Sequence, residues 1–275
     1  MSNSNSSMAA QAVAHVYAVT GATGTLGRAI VGALAGPADR HIVLVGRSQS
    51  ALEEVAAGAA ASNSAIHIVA GADAAQPAQA AQAVVSKLRD VVAALPGGRV
   101  RLVLVQNAGT LSDLSKAVDQ YGEDEIASYT TVNFVAFAAL TARFLEFAKG
   151  TAAERITVVN ITSLLAVKAF ANWGLYAATR AARDQLMRVV AEEHAEDPRV
   201  KTLSYAPGPL EGDMQASVRA TVGDAVQREQ YARMHREGKL VRPADTARLV
   251  CDLVHSGGYE SGSHVDVFDL MPPPE

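Results

Sequence analysis

Residues 20–27 read TGATGTLG and complete the apolar run HVYAVT at 15–20. The pattern is TGxxGxxG, set where a predicted strand turns into a helical stretch. Gly21 permits the tight turn, Gly24 lets the backbone approach a diphosphate, and Gly27 allows the helix to pack closely on the strand. The stretch therefore predicts the anion-binding turn of a dinucleotide site, although a plain glycine-rich turn would carry the same residues.

Short apolar runs alternate with longer alanine-rich stretches of helical spacing along the whole chain. The runs predict buried strands and the stretches predict helices. Because parallel strands need right-handed crossovers, we expect an α/β fold, a single Rossmann-type doubly wound domain with a seven-stranded parallel sheet flanked by helices. The predicted strands are 15–20, 41–46, 65–70, 100–106, 155–161, 201–206 and 264–268, and the predicted helices include 26–35, 75–94, 124–149, 176–196 and 244–255.

Length and composition fit one domain. The 275 residues are 49% hydrophobic and 19% charged, which is enough apolar material for a large core. We assign 14–275 to a dinucleotide-binding and catalytic domain, and the polar, low-complexity 1–13 to a disordered tail. Residues 208–240 leave the sixth strand and are expected to cover the substrate.

Charge and cysteine content exclude several function classes. The net charge of -4 and the lack of Lys/Arg runs argue against nucleic-acid binding. A lone Cys251 and scattered histidines predict neither a disulfide nor a metal site. The sequence has no 18-residue apolar window and no signal-peptide pattern, so we expect a cytoplasmic protein without a membrane contact.

The ends of the second, third and fourth strands carry candidate cofactor residues. Arg47 and Ser48 stand where an NAD site usually has an acidic residue, so a cation and a hydroxyl favour the 2′-phosphate of NADP, unless Arg47 is only a surface residue. Asp73 could accept from the adenine amino group or simply form a turn. The triplet at 107–109, Asn107, Ala108 and Gly109, leaves room for a ribose and lets Asn107 fix the strand end.

A serine, a tyrosine and an arginine follow the fifth strand. Tyr176 lies thirteen residues beyond Ser163, and Arg180 lies one helical turn after Tyr176, on the same helix face. A phenol needs a nearby cation to exchange protons near neutrality, and Arg180 could supply it. Ser163 could polarise a substrate carbonyl. Taken singly, each residue would be an ordinary turn or amphipathic helix residue.

Together the TGxxGxxG turn, the Asn-Ala-Gly triplet and the Ser to Tyr spacing resemble the short-chain dehydrogenase/reductase family over residues 14–269. Within it the chain is most similar to the sepiapterin reductases, through WGLY at 173–176, AARD at 181–184, YAPGPL at 205–210 and SGSHVD at 261–266. The resemblance implies NADPH as cofactor, a pterin side-chain ketone as substrate and a homodimer built through long helices. It also extends the cofactor contacts to Thr23, Leu26, Tyr176, Arg180, Pro207 and Gly208.

The same resemblance implies roles around the substrate. Asp266 would anchor a pterin ring by accepting its N-H groups, which suits a carboxylate. Trp173 and Met214 would form apolar walls, although a lone Trp is often a core residue, and Gly208 would line the site with Ser163 and Tyr176. Asn133 would relay protons through water; from the sequence alone it would be a buried polar residue needing a partner.

Two positions depart from the sepiapterin reductase pattern. Gly24 and Thr25 replace an Arg-Gly pair, so Arg47 must do more for a 2′-phosphate. Arg180 replaces a lysine, exchanging a compact point charge for a planar fork, so we expect a slow reaction or a shifted pH optimum. A carbonyl reductase for small diketones would need the same catalytic residues without Asp266. A dinucleotide-binding sensor without turnover is the alternative that Arg180 keeps open.

Overall fold

The computed structural model describes residues 13–60, 62–96 and 99–271, and within them a single parallel sheet forms the centre of the protein. All but the last residue of the predicted tail, 1–13, lie outside the described residues. The strands are β1 Ala14–Thr20, β2 Arg40–Val45, β3 Ala65–Val69, β4 Val100–Gln106, β5 Ala153–Ile161, β6 Val200–Ala206 and β7 Ser263–Asp266.

The strand order is β3-β2-β1-β4-β5-β6-β7, and every neighbouring pair is parallel. The predicted seven-stranded Rossmann-type sheet is therefore confirmed. The order reverses between β1 and β4, and in sheets of this kind ligands bind at that switch point, outside the carboxyl ends of the strands. The candidate residues named above follow these carboxyl ends, so the topology gathers them at one edge.

Helices cover both faces of the sheet. Buried side chains of α3, α5 and α6 form a core on one face, and those of α1, α2 and α9 form a core on the other. The helices are α1 Thr25–Leu34, α2 Gln49–Ala59, α3 Pro77–Ala94, α4 Glu123–Thr130, α5 Ala136–Lys149, α6 Gly174–Glu193, α7 Asp213–Thr221, α8 Ala225–Arg236, α9 Pro243–Ser256 and α10 Val267–Leu270.

The stretch predicted as one helix at 124–149 contains an irregularity. A π turn, Thr131–Val135, separates α4 from α5. Helical spacing alone cannot reveal one extra residue in a turn, so the sequence predicted a regular helix. The continuous span Glu123–Lys149 is long and apolar enough to cross a membrane by composition, but Phe137, Phe144 and their neighbours are buried against the sheet, as in a core helix.

The end of the chain also differs from the prediction of a strand at 264–268. β7 stops at Asp266, whose carboxylate accepts from the backbone N–H of Phe268 at 3.1 Å and begins α10. Asp269 returns the bond, accepting from the backbone N–H of Asp266 at 3.0 Å. This reciprocal capping ends the strand, because a capped residue starts a helix in place of continuing the ladder.

Residues 208–240, predicted to cover the substrate, form α7 and α8. The two ends of this segment meet in a short parallel bridge between Leu210 and Val241. The backbone N–H of Val241 donates to the carbonyl of Pro209 at 2.9 Å, and that of Glu211 donates to the carbonyl of Val241 at 3.1 Å. The segment is thus closed at its base, beside the carboxyl end of β6.

Candidate active site

The glycine turn between β1 and α1 is shaped by close backbone contacts. Gly21 has a positive φ of 62°, and a Cβ there would lie 3.0 Å from the Cα of Ala108. A Cβ on Gly27 would overlap the carbonyl oxygen of Gly21. At Gly24 a Cβ would meet only that same oxygen, at an ordinary 3.5 Å. The fold itself therefore requires Gly21 and Gly27, while Gly24 leaves the backbone open to a ligand.

Asn107 holds the turn against the end of β4. Its side-chain Nδ2 donates to the carbonyls of Thr20 and Gly21, both at 3.1 Å. The backbone N–H of Ala108 donates to the Thr20 hydroxyl at 3.0 Å. These bonds cross the topological switch point, so the predicted role of Asn107 in fixing the strand end has direct geometric support. Leu26 lies buried beneath the turn, in the core under α1.

The far side of the turn carries two arginines. Arg47 is exposed, and its guanidinium has no partner among the described residues. Arg28, which the sequence reasoning missed, donates from Nε to the carbonyl of Thr23 at 2.9 Å and lies 3.4 Å from Glu54. A second cation therefore stands beside the glycine turn. An arginine one turn into the first helix was the available signal.

Two of the other cofactor candidates already have local structural roles. Ser48 caps α2, its hydroxyl accepting from the backbone N–H of Ala51 at 3.3 Å. Asp73 forms the turn that the sequence allowed as an alternative, since its Oδ1 accepts from the backbone N–H of Ala75 at 3.0 Å. Both side chains keep further hydrogen-bonding capacity, because the Ser48 O–H and the second oxygen of Asp73 are not used in these bonds.

Ser163 lies just beyond β5 in extended conformation. Its Oγ accepts from the backbone N–H of Leu165 at 3.2 Å, which caps the short 3₁₀ turn Leu164–Ala166. α6 packs against that turn, and Leu165 of the turn shares an apolar cluster with Trp173 and Tyr176 at the start of the helix. Because the backbone bond uses only a lone pair, the O–H of Ser163 remains free to donate to a carbonyl oxygen.

Arg180 joins α6 to the end of β5. Its Nη1 donates to the carbonyl of Ile161 at 2.8 Å, and the guanidinium carbon lies 4.9 Å from the ring centre of Tyr176. Both side chains are buried, with 4% of Arg180 and 8% of Tyr176 exposed. A guanidinium this close to a tyrosine ring is attracted to it electrostatically, and more strongly at a site shielded from water. The predicted pairing on one helix face is what the fold produces.

Gly109 makes room for the arginine. A Cβ at this position would lie 2.7 Å from Nη2 of Arg180 and 3.2 Å from Oδ1 of Asn133. Any side chain here would therefore displace the guanidinium. The third residue of the Asn-Ala-Gly triplet thus has a steric purpose inside the protein, in addition to the open space that the sequence predicted for a ribose.

Asn133 lies in the π turn, buried and fully bonded. Its Oδ1 accepts from the backbone N–H of Thr110 at 2.8 Å, and its Nδ2 donates to the Thr110 hydroxyl at 3.0 Å and the Tyr129 carbonyl at 3.1 Å. The amide therefore holds the loop that follows Gly109 against the helix. π turns occur frequently at functional sites, where they redirect one side chain.

Two further buried residues close the site, and sequence reasoning missed both. Arg183 is 1% exposed and donates to the carbonyls of Gln106 at 2.9 Å and Ala108 at 3.3 Å, while burial lowers its guanidinium pKa below the ordinary value. Tyr129 donates to the carbonyl of Thr110 at 3.0 Å, and burial raises its pKa to about 12 despite the opposing charge of Arg180. Charged residues are rarely buried whole, so the AARD motif at 181–184 did not indicate that Arg183 is buried.

The substrate candidates come from three segments. Met214 is 45% exposed at the start of α7, and Asp266 is partly exposed at the end of β7 with one carboxylate oxygen capping α10. Gly208 adopts a positive φ of 77°, with Val241 and Val267 too near for a Cβ. Pro207 is buried beside it. Trp173 is only 4% exposed and belongs to an apolar cluster with Tyr176, so most of its ring is already covered.

Comparison with known proteins agrees with this arrangement. The model of the short chain dehydrogenase family matches residues 15–223. The chain belongs to the short-chain dehydrogenase/reductase family. Its members are oxidoreductases. The matched region takes in the glycine turn, the Ser163, Tyr176 and Arg180 cluster and the strands β1 to β6 except Ala14, whereas β7 lies beyond it.

Individual relatives narrow the comparison. A sepiapterin reductase from Meriones unguiculatus is 38% identical over 259 residues, covering 92% of this chain and 96% of that protein. A benzil reductase ((S)-benzoin forming) from Bacillus cereus is 24% identical over 185 residues, covering 66% and 74%. The crystal structure of the enzyme KRED1-Pglu superposes with a TM-score of 0.78 at 26% identity, covering 91% of this chain and 100% of that one.

Proposed function

We propose that the protein is an NADPH-dependent reductase of a ketone on a pterin side chain, with Tyr176 as the proton donor. The observation that carries the proposal is the buried pairing of Tyr176 with Arg180, next to a serine whose O–H is free. When bound, the nicotinamide supplies hydride to the carbonyl carbon.

The protein residues handle the proton and the developing charge. The O–H of Ser163 donates to the carbonyl oxygen and orients it, and Tyr176 gives its phenolic proton to the same oxygen as it gains negative charge. Arg180 then stabilises the phenolate left behind. Asn133 would support a proton relay through water, as the resemblance implied, by holding the backbone N–H of Thr110 in place.

The preference for NADPH rests on charge beside the glycine turn. Arg47 has an unpaired guanidinium among the described residues, and Arg28 is fixed at the Thr23 carbonyl. A 2′-phosphate carries about two negative charges near neutral pH and makes charge-assisted bonds with guanidinium groups. Arg28 would offset the arginine that this chain lacks at Gly24, the position noted above.

A pterin as substrate is supported by a relative, by the carboxylate of Asp266 and by exposed apolar side chains. The sepiapterin reductase from Meriones unguiculatus aligns along nearly its whole length. Asp266 offers a carboxylate for the ring N–H groups. Large apolar side chains are exposed on the segments after β5, β6 and β7, which suits a flat aromatic ligand: Leu164, Val167, Phe170, Met214 and Phe268.

A carbonyl reductase for small diketones is the second candidate, because a benzil reductase also aligns with the chain. That reaction would use Ser163, Tyr176 and Arg180 and leave Asp266 idle. For either substrate we propose a cytoplasmic enzyme that acts as a homodimer through its long helices, as the resemblance implied.

NADPH consumption by purified protein tests the proposal, with sepiapterin and a small diketone as parallel substrates and NADH as the alternative cofactor. We expect turnover of sepiapterin with NADPH, and a loss of about 10² to 10⁴ in kcat for Tyr176→Phe, the usual contribution of a positioned acid. Asp266→Ala should raise KM for sepiapterin alone. No effect of Asp266→Ala on either substrate would favour the diketone reductase, and tight NADPH binding without turnover would favour a sensor.

A further inference from the structure

One contact of the covering segment, residues 208–240, with the residues that lead into α6 is made by a buried side chain, Gln227. Gln227 lies in the first turn of α8 and is 8% exposed. Its Oε1 accepts from the indole Nε1–H of Trp173 at 2.8 Å, and its Nε2 donates to the carbonyl of Ala171 at 3.2 Å. The oxygen and the nitrogen of the amide are therefore both bonded to the loop 171–173, which leads into α6.

This loop contains one residue in an unusual backbone conformation. Asn172, between the two residues that Gln227 contacts, has a positive φ of 68°, which costs a non-glycine residue free energy. Its side chain donates to the carbonyl of Lys116 at 3.1 Å. A Cβ on Gly223 would lie 2.7 Å from the Asn172 amide, so the turn between α7 and α8 presses directly on this residue.

The turn before α8 is itself fixed on both sides. The backbone N–H of Gly223 donates to the carbonyl of Leu114 at 2.8 Å, and Asp224 caps α8 by accepting from the backbone N–H of Gln227 at 2.9 Å. Gln227 thus reaches Trp173 from an anchored helix end. A freely moving loop could not hold the amide in one orientation.

Trp173 connects Gln227 to the proposed proton donor, Tyr176. Its ring packs edge-on against Tyr176, with ring centres 5.4 Å apart, and against Tyr231 of α8 at 6.5 Å. Val218 and Val222 of the covering segment complete the same apolar cluster. The wall of the site beside Tyr176 is therefore built partly by residues from 208–240.

We propose that Gln227 is a positioning residue, which sets the orientation of Trp173 and so the fit of the substrate beside Tyr176. It acts through Trp173 and does not touch the reacting atoms. The role rests on the proposed function insofar as Trp173 lines the substrate site. It predicts that loss of the Gln227 amide weakens substrate binding more than it slows the chemical step.

The chain offers an optical test that needs no substrate, since Trp173 is its single tryptophan. Gln227→Leu removes the amide, and Gln230→Leu makes the same change at an exposed position of α8 as the matched control. We expect Gln227→Leu to red-shift the tryptophan emission and to raise its acrylamide quenching constant about twofold or more, as a buried indole loses its partner and its cover. Gln230→Leu should match the wild type.

The kinetic arm measures KM and kcat separately with the ketone that the enzyme reduces. For Gln227→Leu we expect KM to rise about fivefold, the size expected from one neutral buried hydrogen bond, with kcat changed less than twofold. Gln227→Asn keeps the amide on a side chain one methylene shorter, which should no longer reach both Trp173 and Ala171; it carries the test, with the same expected changes, if Gln227→Leu fails to fold. Wild-type quenching in Gln227→Leu, or in Gln227→Asn where Gln227→Leu does not fold, would overturn the proposal. If no ketone is reduced, the proposed function fails while the fluorescence arm still decides the role of Gln227.

Discussion

The guanidinium carbon of Arg180 lies 4.9 Å from the ring centre of Tyr176 while its Nη1 is bonded to the carbonyl of Ile161. The second bond matters because it fixes the fork relative to β5, so the charge reaches the phenol from one defined direction. A lysine at the same position would present a single ammonium on a flexible stem. Arginine thus supplies charge and backbone support from one side chain.

Arg180→Lys should therefore change both rate and pH profile. An ammonium retains the charge but cannot reach the Ile161 carbonyl and cover the tyrosine ring in the same way, and a tenfold change in rate corresponds to only about 1.4 kcal/mol in the barrier. The measurement is kcat and kcat/KM against pH, with the exposed Arg188→Lys on the same helix as control. Unchanged rate and profile would contradict the role given to Arg180.

Gly109→Ala should disable the enzyme with little loss of fold. The added Cβ would stand 2.7 Å from Nη2 of Arg180, so the guanidinium must leave its place over Tyr176. We expect kcat to fall at least about tenfold, the effect of a small misplacement of a catalytic group. Gly32→Ala in α1, where a Cβ meets nothing within 4 Å, is the control and should gain about 0.5–1 kcal/mol in stability. Wild-type kcat in Gly109→Ala would contradict the expectation that the added Cβ displaces the guanidinium from a position that catalysis needs.

Arg47→Ala should reduce the preference for NADPH over NADH. A charge-assisted bond to a 2′-phosphate contributes about 1.5–3 kcal/mol, so kcat/KM with NADPH should fall about tenfold or more while that with NADH stays level. Arg28→Ala should act in the same direction and less strongly, because Arg28 is shared with Thr23 and Glu54. Equal losses with both cofactors would mean that these arginines serve the fold.

The protein should lose stability as the pH decreases, because His15 becomes protonated. Burial lowers the pKa of His15 from 6.5 to about 4, against the opposing charge of Asp39. The unfolded chain therefore binds more protons between those values, so the free energy of unfolding is fully retained above about pH 6.5 and declines by about 2–3 kcal/mol as pH falls to 4.

Urea unfolding at several pH values checks this, comparing the wild type with His15→Gln. The variant should lose less stability between pH 6.5 and 4, since its side chain does not titrate. His235→Gln, at a half-exposed position, serves as the control. Parallel stability curves for the wild type and His15→Gln would refute the assignment.

The sheet and the Tyr176 to Arg180 pairing were accessible from sequence because both follow local periodicity. Buried parallel strands are continuous apolar runs, and two residues one helical turn apart must share a face. Asn107 was accessible for a related reason, since a strand's carboxyl end has a fixed place beside the glycine turn.

Other parts of the site depend on contacts that no local pattern records. Gln227 meets Trp173 across 54 residues, and a glutamine in a polar helix predicts only a solvated side chain. The π turn at Asn133 is one surplus residue in an otherwise regular apolar helix. Arg183 is buried because backbone carbonyls of β4 replace its water, which the sequence around it does not announce.

Because Leu210 and Val241 are bridged, the residues between them, 212–240, should be replaceable as a unit. Backbone hydrogen bonds join the two ends of the segment. The entropic cost of closing the loop between them depends only weakly on its length and rises by about 0.6 kcal/mol for each doubling. Insertions, deletions or whole transplants between 212 and 240 should therefore alter the segment that is expected to cover the substrate and leave the sheet intact. In such a chimera, the role proposed for Gln227 predicts that the residue in its place sets how the new segment contacts Trp173.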